Sequence, residues 1–186
     1  MKFKIELLKY PTDEDWQMVK TLTLNTIGKK SIAGKEIAID WKKGMLRCEH
    51  SPIRYLQFII KMEIPYCDSV CFVRHKYGCE HFVSSQRNDR QFNYDRYQEP
   101  QGHLVSHIML VNAQELMFIM NRRLCKCASD NCQQIAKQIK EIVEEKCPEF
   151  KGMLVPMCVR NGGKCREMFP CEKGKLLQEK ERAGII

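Results

Sequence analysis

The chain has 186 residues, 44% of them hydrophobic and 29% charged, which is an ordinary composition for a globular domain with one sizeable core. Its longest apolar runs, such as Leu116–Met120, are far too short to span a bilayer, and its charged N-terminus is unlike a signal peptide. We therefore expect a cytoplasmic protein with no membrane partner. The formal net charge of +8 suggests an anionic partner, although a generally basic surface explains the charge alone nearly as well.

Hydrophobic patterning and capping residues predict strands and helices in turn along the chain. Period-two alternation predicts a first strand from Lys2 to Leu8, and Thr12 or Asp13 is suited to cap the helix that follows. β-branched and aromatic residues from Tyr55 to Ile64 predict a buried strand. The other predicted elements are helices over 36–48, Tyr66–His75, Asn112–Leu124 and Ser129–Lys146, a strand over His103–Val111 and an irregular tail after Pro148.

The stretch from Cys71 to Arg87 reads CFVRHKYGCEHFVSSQR. It places a basic triplet, Arg74-His75-Lys76, at the end of a predicted helix, where the helix dipole favours cations and a merely solvated end is common. Seven residues later comes the segment Ser84-Ser85-Gln86-Arg87. Its hydroxyls and guanidinium are groups that bind phosphate, although serines of this kind are also ordinary strand or turn residues.

The eleven cysteines form another unusual feature. Reduced thiols, some of them buried, are the simplest interpretation for a cytosolic chain, where disulfides are disfavoured. Cys158, Cys165 and Cys171 are separated by six and five residues, and an earlier cysteine such as Cys125 could complete a structural zinc site of four thiolates. Zinc fingers prefer closer pairs, so free thiols in the tail stay the alternative.

The collinear pattern resembles the flavin-dependent thymidylate synthases, the ThyX family. The family hallmark is an Arg-His-Arg triplet followed after seven residues by a serine, and here Lys76 replaces the last arginine and Ser84 is the serine. Ser51-Pro52 precedes the strand as in the family, Asn112 opens a helix, and Arg123 falls near that helix's end. The resemblance spans roughly residues 3–150.

The resemblance implies a single α/β domain of the α+β kind, with a central, mostly antiparallel sheet flanked by helices. Residues 1–150 would form the flavin- and nucleotide-binding domain, and the cysteine-containing tail, 151–186, would pack on it. It also implies a homotetramer with sites at the subunit interfaces, and no nucleic-acid partner. The implied reaction transfers a methylene from methylene-tetrahydrofolate to dUMP, with FAD as cofactor and NADPH as reductant, to give dTMP.

The same resemblance assigns roles to individual residues. FAD would be bound by Ser51, Arg74, His75, Lys76 and Asn112. The nucleotide would be bound by Ser84, Ser85, Gln86, Arg87 and Arg123. Arg123 would also be catalytic, because a fixed cation beside the base stabilises the negative charge that develops there.

Several positions depart from the family pattern, and they leave two alternatives open. Cys71 stands where the family usually has glutamine, Glu49 where it has histidine, and Arg54-Tyr55 where a Glu-His pair is usual. The basic triplet thus matches the family pattern better than the residues at the positions expected to bind the substrate. The chain could modify another pyrimidine nucleotide, or it could be a non-catalytic nucleotide- or nucleic-acid-binding protein that uses the basic and aromatic residues of Arg87–Tyr97.

Overall fold

Four antiparallel strands organise the chain. The computed structural model describes residues 3–30, 36–90 and 95–185, and Lys2 of the first predicted strand lies outside them. The strands are β1 (Lys4–Lys9), β2 (Gln57–Pro65), β3 (Cys79–Val83) and β4 (Leu104–Asn112). They pair in the order β1-β2-β4-β3. The sheet confirms the predicted α+β fold.

The register of the two central strands determines which residues face the core. β2 and β4 pair over their full length, from Gln57 opposite Asn112 to Pro65 opposite Leu104. Alternate residues of β2 are fully buried, Phe58 and Met62 among them, as expected for a sheet with one covered face. β3 extends the sheet beyond β4, with Cys79 opposite Val111 and thus near the point where β4 ends.

Helices cover one face of the sheet. Thr12 begins the first helix with a capping box, in which its hydroxyl accepts from the Asp15 amide and the Asp15 carboxylate accepts from the Thr12 amide. No helix in the described part of the chain is long and apolar enough to cross a membrane. The helices are α1 (Asp13–Thr26), α2 (Ile39–Arg47), α3 (Tyr66–Val73), α4 (Ala113–Arg123), α5 (Asp130–Lys146), α6 (Met157–Arg160) and α7 (Glu172–Arg182), with 3-10 turns at Ser51–Tyr55 and Pro148–Phe150.

The core is continuous from the N-terminal strand to the start of the tail. The α5 residues Ile135, Ile139 and Val143 are fully buried, and Leu154 of the tail belongs to the same cluster. Trp16 donates from its indole to the buried Glu149 carboxylate at 2.7 Å, so the polar ends of both side chains are satisfied.

Two parts of the sequence interpretation were wrong about local structure. The segment between the triplet and the serines contains β3, which was missed because only Phe82 and Val83 in it have high strand propensity. The tail is not irregular throughout, since it contains α6 and α7. α7 carries the charges that a helix dipole favours, with the acidic Glu172 in its first turn and basic residues in its last turn.

We predict that Gly78→Ala destabilises the fold more than the matched substitution Gly28→Ala. Both glycines have positive φ angles, +71° and +68°, so alanine is strained at either position. A Cβ on Gly78 would also clash with the Asn112 side-chain nitrogen, whereas no atom of the described residues lies within 4 Å of a Cβ on Gly28. Thermal and urea unfolding should show a loss of about 1 kcal/mol for Gly28→Ala and about 1 kcal/mol more for Gly78→Ala. Equal losses would contradict the close approach of Gly78 to Asn112.

Candidate functional site

A cavity of about 580 Å³ opens where β4 ends and α4 begins. One wall is the side of α4 that carries Glu115, Phe118 and Asn121 at helical spacing. Tyr77 and Gly78, which follow the basic triplet, form a second wall. The turn after the triplet is therefore brought against the first two turns of α4.

Two polar pairs also line the cavity. Arg160 at the end of α6 forms an ion pair with Glu49, and Arg54 donates to the Gln114 side-chain oxygen. Glu49 has a φ angle of 49°, an unusual conformation for a residue with a side chain. The tail thus supplies a cation to the cavity. Glu49 and Arg54, two positions where the sequence departs from the family pattern, both lie in the cavity wall.

Asn112 connects β4, α4 and the turn at Gly78 through its hydrogen bonds. Its side-chain oxygen accepts from the Glu115 amide at 2.9 Å and caps α4. Its backbone amide donates to the Gly78 carbonyl at 2.9 Å. The residue is a helix cap that also lines the cavity, and its flavin contact stays a prediction.

The three residues of the basic triplet have different environments. Arg74 and Lys76 are exposed, and neither forms an ion pair with a residue that the structure describes. His75 is only 8% exposed, its Nδ1 lies 3.2 Å from Glu115 Oε1, and its ring packs edge-on against Phe118. Two cations thus remain available to an anion while the imidazole between them packs inward.

Burial changes the charge states of His75 and Glu115. It is the largest cause that lowers the pKa of His75 to about 4, with smaller contributions from Arg123, His81 and Arg122. Burial also raises the pKa of Glu115 to about 7. At neutral pH the imidazole is therefore uncharged, and Glu115 is the group of this pair that gains or loses a proton.

A chain of hydrogen bonds holds the backbone of His75 from the sheet side. His81 Nε2 lies 2.7 Å from the His75 carbonyl oxygen and must be the donor, because a carbonyl only accepts. In a neutral His81 ring, Nδ1 then accepts from His107 Nε2 at 2.9 Å, and His107 Nδ1 accepts from the Ser69 hydroxyl at 3.1 Å. Burial, and to a smaller extent His81, lowers the pKa of His107 to about 4, which keeps that ring neutral.

The predicted phosphate-binding segment follows the end of β3 that is farther from the cavity. Ser84 extends the pairing with β4, donating from its amide to the Ser106 carbonyl at 2.8 Å. The Ser85 hydroxyl accepts from the Arg87 amide, and the Arg87 guanidinium binds Asp89 through two hydrogen bonds of 2.9 and 2.7 Å. Gln86 is half-buried in the same segment.

Within one chain, this segment is remote from the cavity. From Gly78 to Ser84 the chain runs along β3, a span of about 20 Å at the rise of an extended strand. A single subunit therefore does not bring Ser84 and Arg87 to the cavity beside Asn112. Residues 91–94 of the basic and aromatic segment Arg87–Tyr97 lie outside the described residues.

Arg123 is held against α3 and is not among the described residues that line the cavity. Its Nη2 donates to the Cys71 carbonyl, and its guanidinium lies 6.0 Å from the centre of the Phe72 ring. Its Nε is buried and has no partner in the described part of the chain. Ser51, the remaining predicted flavin residue, is exposed at the start of the first 3-10 turn.

The tail cysteines gather around a second cavity of about 220 Å³. All four predicted zinc ligands, Cys125, Cys158, Cys165 and Cys171, line it together with Cys127. All are free thiols, and among the described residues no three histidine, cysteine, aspartate or glutamate side chains form a group that could hold a metal ion. The fold brings the cysteines to one place, and the zinc site stays a prediction.

Sequence reasoning missed Glu115 and Arg160 as cavity residues. Asn112 and Glu115 have the spacing of a helix cap and its third residue, a pattern that is explained by helix initiation alone. Arg160 stands in a tail segment whose helix was not predicted. His81 and His107 carried no signal, because isolated histidines in strands are common.

Comparison with solved structures shows a similar fold in a UMP/dUMP methylase, PolB from Streptomyces cacaoi, whose crystal structure is bound with 5-Br dUMP. The TM-score is 0.64, and the match covers 83% of this chain and 97% of that one, at 14% sequence identity. No family model and no curated protein matches the sequence. At this identity the likeness shows a shared fold.

Proposed function

We propose that the chain is a flavin-dependent thymidylate synthase that methylates carbon 5 of dUMP. The observation that carries the proposal is the arrangement of the triplet, in which exposed Arg74 and Lys76 flank the buried His75. His75 in turn contacts Glu115 and Phe118, which line the main cavity beside α4. The similar fold of a UMP/dUMP methylase supports a pyrimidine nucleotide as substrate. Methylene-tetrahydrofolate and NADPH are the proposed co-substrates, as the family resemblance implies.

The residues present fit a flavin dinucleotide. A pyrophosphate requires cations, and Arg74 and Lys76 provide a bidentate fork and a point charge that no described carboxylate neutralises. Asn112, which lines the cavity, and Ser51 would add polar contacts, as the family resemblance implies. FAD, when bound, supplies the hydride chemistry, and the protein's own residues position it and exclude water.

The proposed substrate residues fit a nucleotide monophosphate. Arg87 is exposed, and its only described charged partner is Asp89, also exposed; exposed ion pairs of this kind contribute little to stability. A phosphate can therefore compete for the Arg87 guanidinium. Arg123 would stabilise negative charge on the base, as the family resemblance implies.

The separation between the cavity and Arg87 supports a site shared between subunits. Ser84–Arg87 and Asn112 lie at opposite ends of β3, and a subunit interface would bring these two ends, from different chains, to one bound nucleotide and flavin. A homotetramer with its sites at the interfaces would meet this requirement.

Our first functional prediction concerns FAD. The gently purified protein should show flavin absorbance or take up FAD on titration. The double substitution of Arg74 and His75 by alanine should give a folded, colourless protein, because it removes a pyrophosphate cation and the imidazole beside it. Lys137→Ala, at a position on the exposed side of α5, is the matched control and should retain FAD. A wild-type protein that takes up no flavin would refute the proposal.

A second prediction separates catalysis from binding. With methylene-tetrahydrofolate, NADPH and FAD supplied, Arg123→Ala should abolish tritium release from carbon-5-labelled dUMP while nucleotide binding weakens less, since this cation acts mainly in the transition state. Arg87→Ala should chiefly weaken nucleotide binding. Release from UMP but not dUMP would instead favour a modifier of another pyrimidine nucleotide, a candidate supported by the Glu49–Arg160 and Arg54–Gln114 pairs in the cavity wall.

A third prediction concerns the shared site. Light scattering should give the mass of a tetramer. At a dUMP concentration where each variant alone is defective, Arg87→Ala and Arg123→Ala subunits should regain part of the activity when co-expressed with different tags and purified as mixed tetramers, because some sites then receive both arginines. Mixed tetramers without recovered activity would show that both arginines act within one chain.

A further inference from the structure

Glu115 stands between the main cavity and the buried His75. It lines the cavity, and its Oε1 lies 3.2 Å from His75 Nδ1. Its second oxygen, Oε2, accepts no hydrogen bond from a residue in the described part of the chain. Oε2 is also absent from the buried polar atoms that lack a partner, so the protein does not enclose it fully. The carboxyl group thus has one oxygen bound to the imidazole and one left to the cavity.

The environment of His75 determines where a proton on this pair resides. His75 Nε2 is buried and has no described partner. A buried N–H without an acceptor is rarer in proteins than an unsatisfied acceptor, so the hydrogen of the neutral ring is better placed on Nδ1. From there it donates to Glu115 Oε1. Oε1 is then occupied as an acceptor, and a proton that Glu115 gains goes to Oε2.

We propose that Glu115 is the proton-exchanging residue of the cavity, and that His75 is a positioning residue which directs the exchanging proton to the oxygen that faces the cavity. This inference rests on the proposed function for the identity of its substrate. In that reaction a carbon–carbon bond forms at carbon 5 of the pyrimidine and the carbon 5–hydrogen bond breaks. The electron pair of that bond stays in the ring, and the Glu115 carboxylate takes the proton on Oε2 to become a carboxylic acid, which later releases it to water.

The surroundings of Glu115 favour this exchange near neutral pH. His75 faces it from beyond the end of α3, Cys79 from β3, and Arg54 and Arg160 line the same cavity. His75 is neutral, and each arginine already binds another side chain, Arg54 with Gln114 and Arg160 with Glu49. Burial therefore dominates and holds the pKa of Glu115 at about 7, the range in which a general base is most effective.

A test that needs no ligand is NMR of the purified wild-type protein. Carboxyl carbon shifts should show Glu115 titrating near pH 7, and imidazole nitrogen shifts should show His75 with its proton on Nδ1 from pH 6 to 8. His107 is the internal reference, since its hydrogen bonds place the proton on Nε2. Titration of Glu115 at the ordinary pKa of a glutamate, or an Nε2 proton on His75, would overturn the assignment whatever the protein's reaction.

The catalytic part of the inference is tested by Glu115→Gln, which keeps an acceptor for His75 but cannot take the proton. Tritium release from dUMP should fall about 10²- to 10⁴-fold with little change in nucleotide affinity, and the control Glu80→Gln, exposed on β3, should be unaffected. In the wild type the rate should fall as the pH drops below about 7, because the base becomes protonated, and any residual rate in Glu115→Gln should lack this dependence. Unchanged tritium release in a folded Glu115→Gln protein would refute the role of Glu115 as the base. No release in the wild type would instead refute the proposed function, and the NMR result would then decide the proton assignment.

Discussion

The local structure of the site depends on the hydrogen bonds of Asn112, the last residue of β4. Its amide binds the Gly78 carbonyl and its side chain caps α4 through Glu115, so one residue determines both where the triplet's loop ends and where the helix begins. The close approach is available only because Gly78 has no side chain. Without it, the loop and the helix would not meet, and the cavity between them would lose two of its walls.

Burial determines the electrostatics at this junction more than the formal charges of the residues do. The chain carries a net charge of +8, yet burial lowers the pKa of the histidine inside its most basic triplet to about 4 and raises the pKa of its partner, Glu115, to about 7. Arg74 and Lys76, a single position away on either side, remain exposed. One short segment therefore combines two exposed cations with a buried imidazole that contacts the Glu115 carboxyl group.

The tail has a larger part in the cavity than its position at the end of the chain suggests. Arg160 reaches Glu49 and closes one side of the cavity, while Arg122 at the end of α4 binds Glu167. The same segments surround the cysteine-lined second cavity. Segments of the tail therefore line both cavities.

The sequence by itself determined the elements whose signals are local. Capping residues, strand propensity and helical spacing predicted all but one of the strands, five of the helices and the position of the triplet, because these patterns depend on neighbours in the chain. Only the tertiary structure decided that His75 is buried and that Glu115, Glu49 and Arg160 share one cavity. It also decided that Arg87 lies at the far end of β3 from Asn112. Burial and strand register depend on contacts between distant segments, and no local pattern of residues records them.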